Sequence, residues 1–407
     1  MATLCRNCGA PVLFDPKSQK VICGSCNGAF DPADVKVTVE GTQLREVGKV
    51  LGEYIDDEVT EHYLNCSVYC CQSCGGEIIV NGTEGTGRCI YCGSSSVVFS
   101  RISREKAPEL IIPFSITRQE ALQKIKQAFK RHFFIPKEIR DFKPDQVRGI
   151  YVPYWLVSGR HVEADVIQCK VGYGDNTKTL PCGRAGSIKL KNLPVDGSRI
   201  LSDQSSQSLE PFDLTKIKEF HESYLLGFYS NVSDIRYKDL QQAAEVRASL
   251  AFQDQVMESI PGHEVKILDS AKDTIIDQKE LYYAMFPVWF VTYNYQGKHN
   301  TIMVNGQTGK VVSGTPWDEK VVTRITFLIG SLFTIAGTII GSSLFSLLRE
   351  TKENDPRVYA FYILLPILLG VVAAAYGSSR MSRVKHRLKL SQEASIYNFV
   401  SKRQGDD

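Results

Sequence analysis

The chain has 407 residues, 43% of them hydrophobic and 23% charged, with a formal net charge of +3. That balance excludes a disordered or low-complexity chain, and near-neutrality supplies no overall basic field for nucleic acid. A mean hydropathy of −0.14 excludes a polytopic membrane protein, although an average can conceal one or two spans.

Eight of the twelve cysteines form four Cys-x-x-Cys pairs: Cys5/Cys8, Cys23/Cys26, Cys71/Cys74 and Cys89/Cys92. Within each set 14 residues separate the pairs, and the second set repeats the first at an offset of 66 positions. Two residues between cysteines let both sulfurs of a tight turn face one ion, and two such turns complete a tetrahedral four-sulfur site suited to zinc. The spacing therefore predicts two structural zinc ribbons, at 1–30 and 67–100, and two zinc ions per chain. Closed four-cysteine sites have no open coordination position, so catalysis at the metal is not expected. No basic-then-apolar leader opens the chain, so the expected compartment is reducing and disulfides are disfavoured. Cys66 and Cys70 precede the second set without settled roles, and Cys71 is preferred as ligand because it keeps the register. Cys169 and Cys182 flank a Gly-rich turn and read as buried thiols across a hairpin.

Between the ribbons, in 31–66, Val47, Val50, Leu51 and Tyr54 recur at helical spacing ahead of Asp56, Asp57, Glu58 and Glu61. An acidic amphipathic connector helix is predicted. Residues 1–106 carry ten Lys/Arg and thirteen Asp/Glu, and each four-thiolate site with a divalent ion adds about −2. That charge opposes phosphate binding.

Residues 108–316 read as an α+β region. Thr117-x-x-Glu120 is a capping box that opens a helix bearing Ala121, Leu122, Ile125, Ala128 and Phe129. Asp213 is expected to cap a second helix through Phe228, and a long helix is predicted from Asp239 to Ser259. Strands are predicted at Gly149–Ser158, Val162–Val171, Phe286–Tyr295 and Thr301–Val304, with a turn at Asn305-Gly306 leading into Gly309–Ser313. Pro153-x-Trp155-x-Val157 and Pro287-x-Trp289-x-Val291 echo each other at an offset of 134, which suggests a duplicated α+β unit.

Farther on, Ile325–Leu348 and Val358–Ser379 are uncharged runs of 24 and 22 residues bounded by arginines. At ~1.5 Å rise per residue, each is long enough for a hydrocarbon core of ~30 Å. A two-helix transmembrane hairpin over 321–379 is expected. The basic tail, 380–407, has seven Lys/Arg against three Asp/Glu, which predicts a cell-membrane protein with both termini cytoplasmic. Gly337, Gly341 and Gly370 form small-residue faces suited to helix packing or oligomer contact with the lipid-embedded hairpin.

The sequence contains no Gly-x-x-x-x-Gly-Lys-Ser/Thr, no His-Glu-x-x-His and no Gly-x-Ser-x-Gly, so no enzyme is expected. The ordered set of ribbons, Ile112-Pro113-Phe114-Ser115-Ile116-Thr117, Tyr151-Val152-Pro153-Tyr154-Trp155-Leu156 and Glu210-Pro211-Phe212-Asp213 with the apolar C-terminal pair resembles the bacterial TFIIB-type zinc ribbon-containing membrane proteins. The resemblance implies a neighbourhood of SPFH-domain (flotillin-like), TPM-domain and phage-shock-protein-A-like partners. The expected function is a non-enzymatic, membrane-anchored adaptor that docks a protein partner on a lipid bilayer. The rival expectation is a membrane-tethered nucleic-acid-binding protein of replication or transcription.

Overall fold

The computed structural model describes residues 3–35, 63–72, 77–80, 89, 97–130, 147–172, 177–198, 203–260, 262–295 and 298–313, with isolated positions between 324 and 343. The first described segment is a small three-stranded antiparallel sheet of β1 (Val12–Asp15), β2 (Lys20–Cys23) and β3 (Ala29–Phe30). Asp15 closes its first turn by accepting hydrogen bonds from the Ser18 amide and hydroxyl, at 2.8 and 2.7 Å. Val12, Phe14, Val21 and Cys23 alternate inward, the period of a strand with one buried face.

The remaining strands form one twelve-stranded sheet. In chain order they begin with β4 (Tyr63–Cys71), β5 (Glu77–Val80), β6 (Val97–Lys106) and β7 (Leu110–Ile111). Helix α1 (Arg118–Lys130) follows, then the long strands β8 (Val147–Val171) and β9 (Lys178–Asp196). Next come α2 (Asp203–Leu209), β10 (Lys218–Glu219), β11 (Tyr229–Ser230) and α3 (Tyr237–Ser259). The last elements are β12 (His263–Ile276), β13 (Tyr282–Tyr295), β14 (Lys298–Asn305) and β15 (Val311–Ser313). The spatial order β10-β7-β13-β8-β11-β5-β4-β6 puts β13 and β8 in the middle, while β9 and β12 flank the far half of β8 as a three-stranded arm.

The first half of β8 is apolar on both faces because both are covered. Tyr151, Trp155 and Val157 join Tyr283, Met285 and Trp289 on one face, where they meet α1, α3 and the N-terminal cysteine sheet. Ile150, Val152, Tyr154 and Leu156 join Phe286 and Val288 on the other, where Cys71, Ile78, Cys89 and Phe212 pack. The two cysteine segments thus lie in the cores of opposite faces of the sheet.

Around the β8–β13 pair, contacts recur in reciprocal fashion. Pro153 pairs with Met285 and Tyr151 with Pro287, so each strand occupies the place its 134-position counterpart occupies on the other. Beside them, β11 runs parallel to β8 at Ile150 and Tyr151, and β7 runs parallel to β13 at Ala284 and Met285. The Asn231 amide donates to the Tyr151 carbonyl at 3.0 Å, and the Ile112 amide to the Met285 carbonyl at 2.9 Å. Gly197 donates to the Pro153 carbonyl at 2.9 Å, and Gly306 to that of Pro287 at 2.8 Å. The Trp155 indole donates to Ser233 Oγ and the Trp289 indole to the Ile116 carbonyl, both at 2.9 Å.

Phe114 is the hub of the first face. It stacks on Phe228 with ring centroids 4.2 Å apart and meets Tyr151 at 5.0 Å and Trp289 at 4.9 Å. Gly306 permits this approach, since a Cβ there would lie 2.6 Å from the Phe114 ring. Phe114→Ala is expected to cost about 3–5 kcal/mol through lost burial and a residual cavity. Urea denaturation of the full chain checks this; a loss below about 1 kcal/mol would contradict the hub.

Several expectations are corrected here. The described fold is mostly β-sheet, with three α-helices among the described residues, where an α+β region was expected; β9 and β12 account for much of the difference. The segment capped by Asp213 is a single 3-10 turn, Leu214–Lys216, followed by β10 and a second 3-10 turn at Glu222–Leu225. The transmembrane hairpin over 321–379, and with it the two-span cell-membrane localisation, is overturned: among the described residues no helix is long and apolar enough to cross a membrane. The described positions between 324 and 343 are helical, but they make up no helix of the length and apolarity a span needs. Most of 321–379, with Gly337, Gly341 and Gly370, lies outside the described residues, as do the connector helix at 47–61 and the tail 380–407. The Thr117–Glu120 box is present: Glu120 Oε2 accepts from the Thr117 amide and hydroxyl, both at 2.9 Å.

Candidate metal centre

Cys5 and Cys8 lie on the turn entering β1, and Cys23 and Cys26 on the turn leaving β2. The strand register brings the two turns together, because Val12 pairs with Cys23. All four sulfurs lie within 4.8 Å of one another, with Cys5–Cys26 at 3.6 Å and Cys8–Cys23 at 3.5 Å. The two turns are built alike. The Gly9 amide donates to the Cys5 carbonyl at 2.9 Å and the Asn27 amide to that of Cys23 at 3.0 Å. Gly9 and Asn27 take φ of 70° and 57°, a left-handed conformation that glycine and asparagine tolerate best. Cys5 and Cys23 are buried beneath the turns, whereas Cys8 and Cys26 are exposed.

Amide hydrogen bonds from Cys26 and Ser25 pull the Cys23 thiol down to about 6. At Cys8 the Ala10 amide also pulls down, but hydrogen bonding with Cys23, Cys26 and Cys5 and partial desolvation outweigh it and push that thiol up to about 12. Four thiolates this close repel one another, so a cation is needed before all four ionise together. The set could hold a metal ion, with every ligand supplied by the chain.

The module is fastened to the sheet. Phe14 meets Tyr224 edge-on at 5.1 Å, and its amide donates to the Leu226 carbonyl at 3.1 Å. Gln19 Nε2 donates to the Phe114 carbonyl at 2.7 Å, and Lys17 pairs with Glu120 of the α1 capping box. The Lys17 ammonium pulls the Glu120 carboxyl down to about 2, helped by the Thr117 amide.

Of the second set, Cys71 and Cys89 are buried in the opposite core, while Cys74 and Cys92 lie outside the described residues. The backbone repeats the first set where it is described. Leu4 bridges Pro11 across the first turn, and Cys70 pairs with Glu77 across the second, each 66 positions on. This hairpin is part of the large sheet, because β5 pairs with β11 at Ser230 and Tyr229.

Sequence reasoning missed a buried polar cluster beneath α3. His161 Nε2 donates to Glu163 Oε2 at 2.8 Å, and its Nδ1 lies 2.8 Å from Thr274 Oγ1. The other Glu163 oxygen accepts from Ser249 Oγ at 3.0 Å. The order hydroxyl, imidazole, carboxylate matches a nucleophilic triad, but His161 and Thr274 have no exposed surface and admit no substrate. Alternation along a strand offered the only signal, since His161, Glu163 and Asp165 share one face of β8; predicting that α3 covers it needs the tertiary fold.

No family model matches the chain, and no solved structure matches it. Among curated proteins the chain is similar to the uncharacterized protein YdjG of Bacillus subtilis (strain 168), with 26% identity over 341 residues. The match covers 81% of this chain and 94% of YdjG.

Proposed function

We propose that this chain is a non-enzymatic adaptor in which zinc-stapled turns and the sheet that holds them present a docking surface for a protein partner. The observation that carries the reading is the sulfur geometry. A zinc ion ~2.3 Å from each of four tetrahedral thiolates needs sulfurs about 3.8 Å apart. The close pairs at 3.5 and 3.6 Å within a 4.8 Å cluster fit that figure. Four protein sulfurs fill the ion's coordination shell, so the ion would shape a surface rather than bind a substrate. Charge favours a protein partner over nucleic acid, because residues 1–106 are net acidic before any thiolate is counted. The resemblance drawn from the sequence points to SPFH-domain, TPM-domain or phage-shock-protein-A-like proteins as the partners to look for first.

Removing residues 1–106 is a poor test, because it would strip β4, β5 and β6 from the large sheet. Affinity capture with the full chain and with Arg6→Glu, which changes an exposed side chain of the first cysteine turn and leaves all four sulfurs in place, tests the reading better. A partner recovered reproducibly with the native chain and lost with the variant is expected. Recovery of no specific protein with either would sink the adaptor, and steeply salt-dependent capture of nucleic acid would replace it.

A further inference from the structure

We propose that Cys169 and Cys182 are a modification site, a dithiol that a peroxide oxidises to a disulfide across the β8–β9 arm. Their sulfurs lie 3.7 Å apart. Cys169 pairs with Leu180 and Cys182 with Ile167, so the two are diagonal neighbours on the face that α3 covers. Diagonal positions are ordinarily ~7–8 Å apart, beyond the usual disulfide span, yet here the side chains reach toward each other and touch. Closing from 3.7 Å to the ~2.05 Å of a disulfide requires the β8 and β9 backbones to draw together as well as the side chains to rotate.

The two thiols differ in the way a two-step oxidation requires. Cys169 has no exposed surface and packs with Ile167, Phe252, Val256 and Ile260. Gly262 leaves it room, since a Cβ there would sit 3.1 Å from its sulfur. Burial pushes the Cys169 thiol up, as does its hydrogen bond with Cys182, against the opposing pull of the Arg184 guanidinium. Cys182 is only partly buried, so a solvent-borne oxidant reaches it first. Arg184 is held beside the pair by Ser259 at the end of α3, at 3.0 Å from Nε to the hydroxyl and 3.2 Å from Nη2 to the carbonyl.

The chemistry balances with one hydrogen peroxide. The Cys182 thiolate attacks a peroxide oxygen; an S–O bond forms, the O–O bond breaks, and the departing oxygen leaves as water after taking up protons. Cys169 then attacks the Cys182 sulfur. An S–S bond forms, the S–O bond breaks, and hydroxide takes the second thiol proton to leave as another water. Both sulfurs are oxidised, the peroxide is reduced, and the chain loses two hydrogen atoms.

The test is peptide mapping of the full chain after brief treatment with hydrogen peroxide. Trypsin cuts after Arg160, Lys170, Lys178 and Arg184, so the pair would join peptides 161–170 and 179–184. That linked species is expected in the native chain, is expected to disappear on treatment with a dithiol reductant, and is expected to be absent from Cys182→Ser. In Cys169→Ala, Cys182 is expected to halt at the sulfenic acid and label with dimedone. Complete alkylation of both thiols after peroxide would overturn the proposal. So would equal dimedone labelling of Cys182 in the native chain and in Cys169→Ala, or linkage of Cys182 to any other cysteine.

Discussion

Cys8→Ser is expected to lower the metal content by about one ion per chain and to unfold the N-terminal cysteine sheet. Cys8 is exposed, so the change removes a ligand without opening a cavity. Structural zinc in small thiolate modules contributes about 10–16 kcal/mol. A whole domain is stable by only about 5–15 kcal/mol, so a three-stranded sheet of this size has no means of replacing that term. The damage should also reach the body, because Val12, Phe14 and Val21 belong to the core that holds Tyr151 and Trp289. Hydrogen exchange should therefore accelerate at Gly9 and Asn27 most and at β8 and β13 less, and chelation of the native chain should reproduce the pattern. Full metal content with unchanged exchange in the variant would refute both the ligand assignment and the coupling.

Glu163→Ala is expected to destabilise the arm by about 3–5 kcal/mol, because it leaves His161, Ser249 and Gln253 without their buried acceptor. Glu163→Gln, which keeps the volume but faces the His161 N–H with a weaker, neutral acceptor, should cost less, about 1–3 kcal/mol. Burial pushes the Glu163 carboxyl up, but hydrogen bonds from His161, Ser249 and Gln253 outweigh it and hold the group below the usual 4.5. A carboxyl lowered on folding stabilises the native state above its unfolded value. That contribution is fully present above about pH 4.5 and is lost as pH falls through the lower folded value. Denaturant titration of both variants at pH 7 and near pH 4 measures the effect; an alanine variant within about 1 kcal/mol of the native chain at pH 7 would contradict the network.

Much of the local structure was legible before the fold. The Thr117–Glu120 capping box opens α1, the helix expected from Asp239 to Ser259 is observed as Tyr237–Ser259, and the strand expected at Phe286–Tyr295 lies within β13. These depend on interactions within a few residues, which a sequence displays directly. Asn305 Oδ1 accepts from the Gln307 and Thr308 amides at 2.9 Å each, a turn that Asn-Gly announces. Two strands expected at Gly149–Ser158 and Val162–Val171 form one, because Gly159 marks a close approach. A Cβ there would lie 2.2 Å from the Ile275 carbonyl oxygen.

By itself, the sequence determined the cysteine chemistry and its repeat, because two residues between sulfurs is a short-range constraint on which side chains can face one ion. Only the tertiary structure decided that the first set is fastened to one face of the central sheet through Phe14 and Gln19. It also decided that Cys71 and Cys89 lie in the opposite core, and that His161, Glu163 and Thr274 meet beneath α3. Those placements depend on which strands pair across more than a hundred residues. That choice is made by the burial of both faces of β8 and β13 together, and no single segment encodes it.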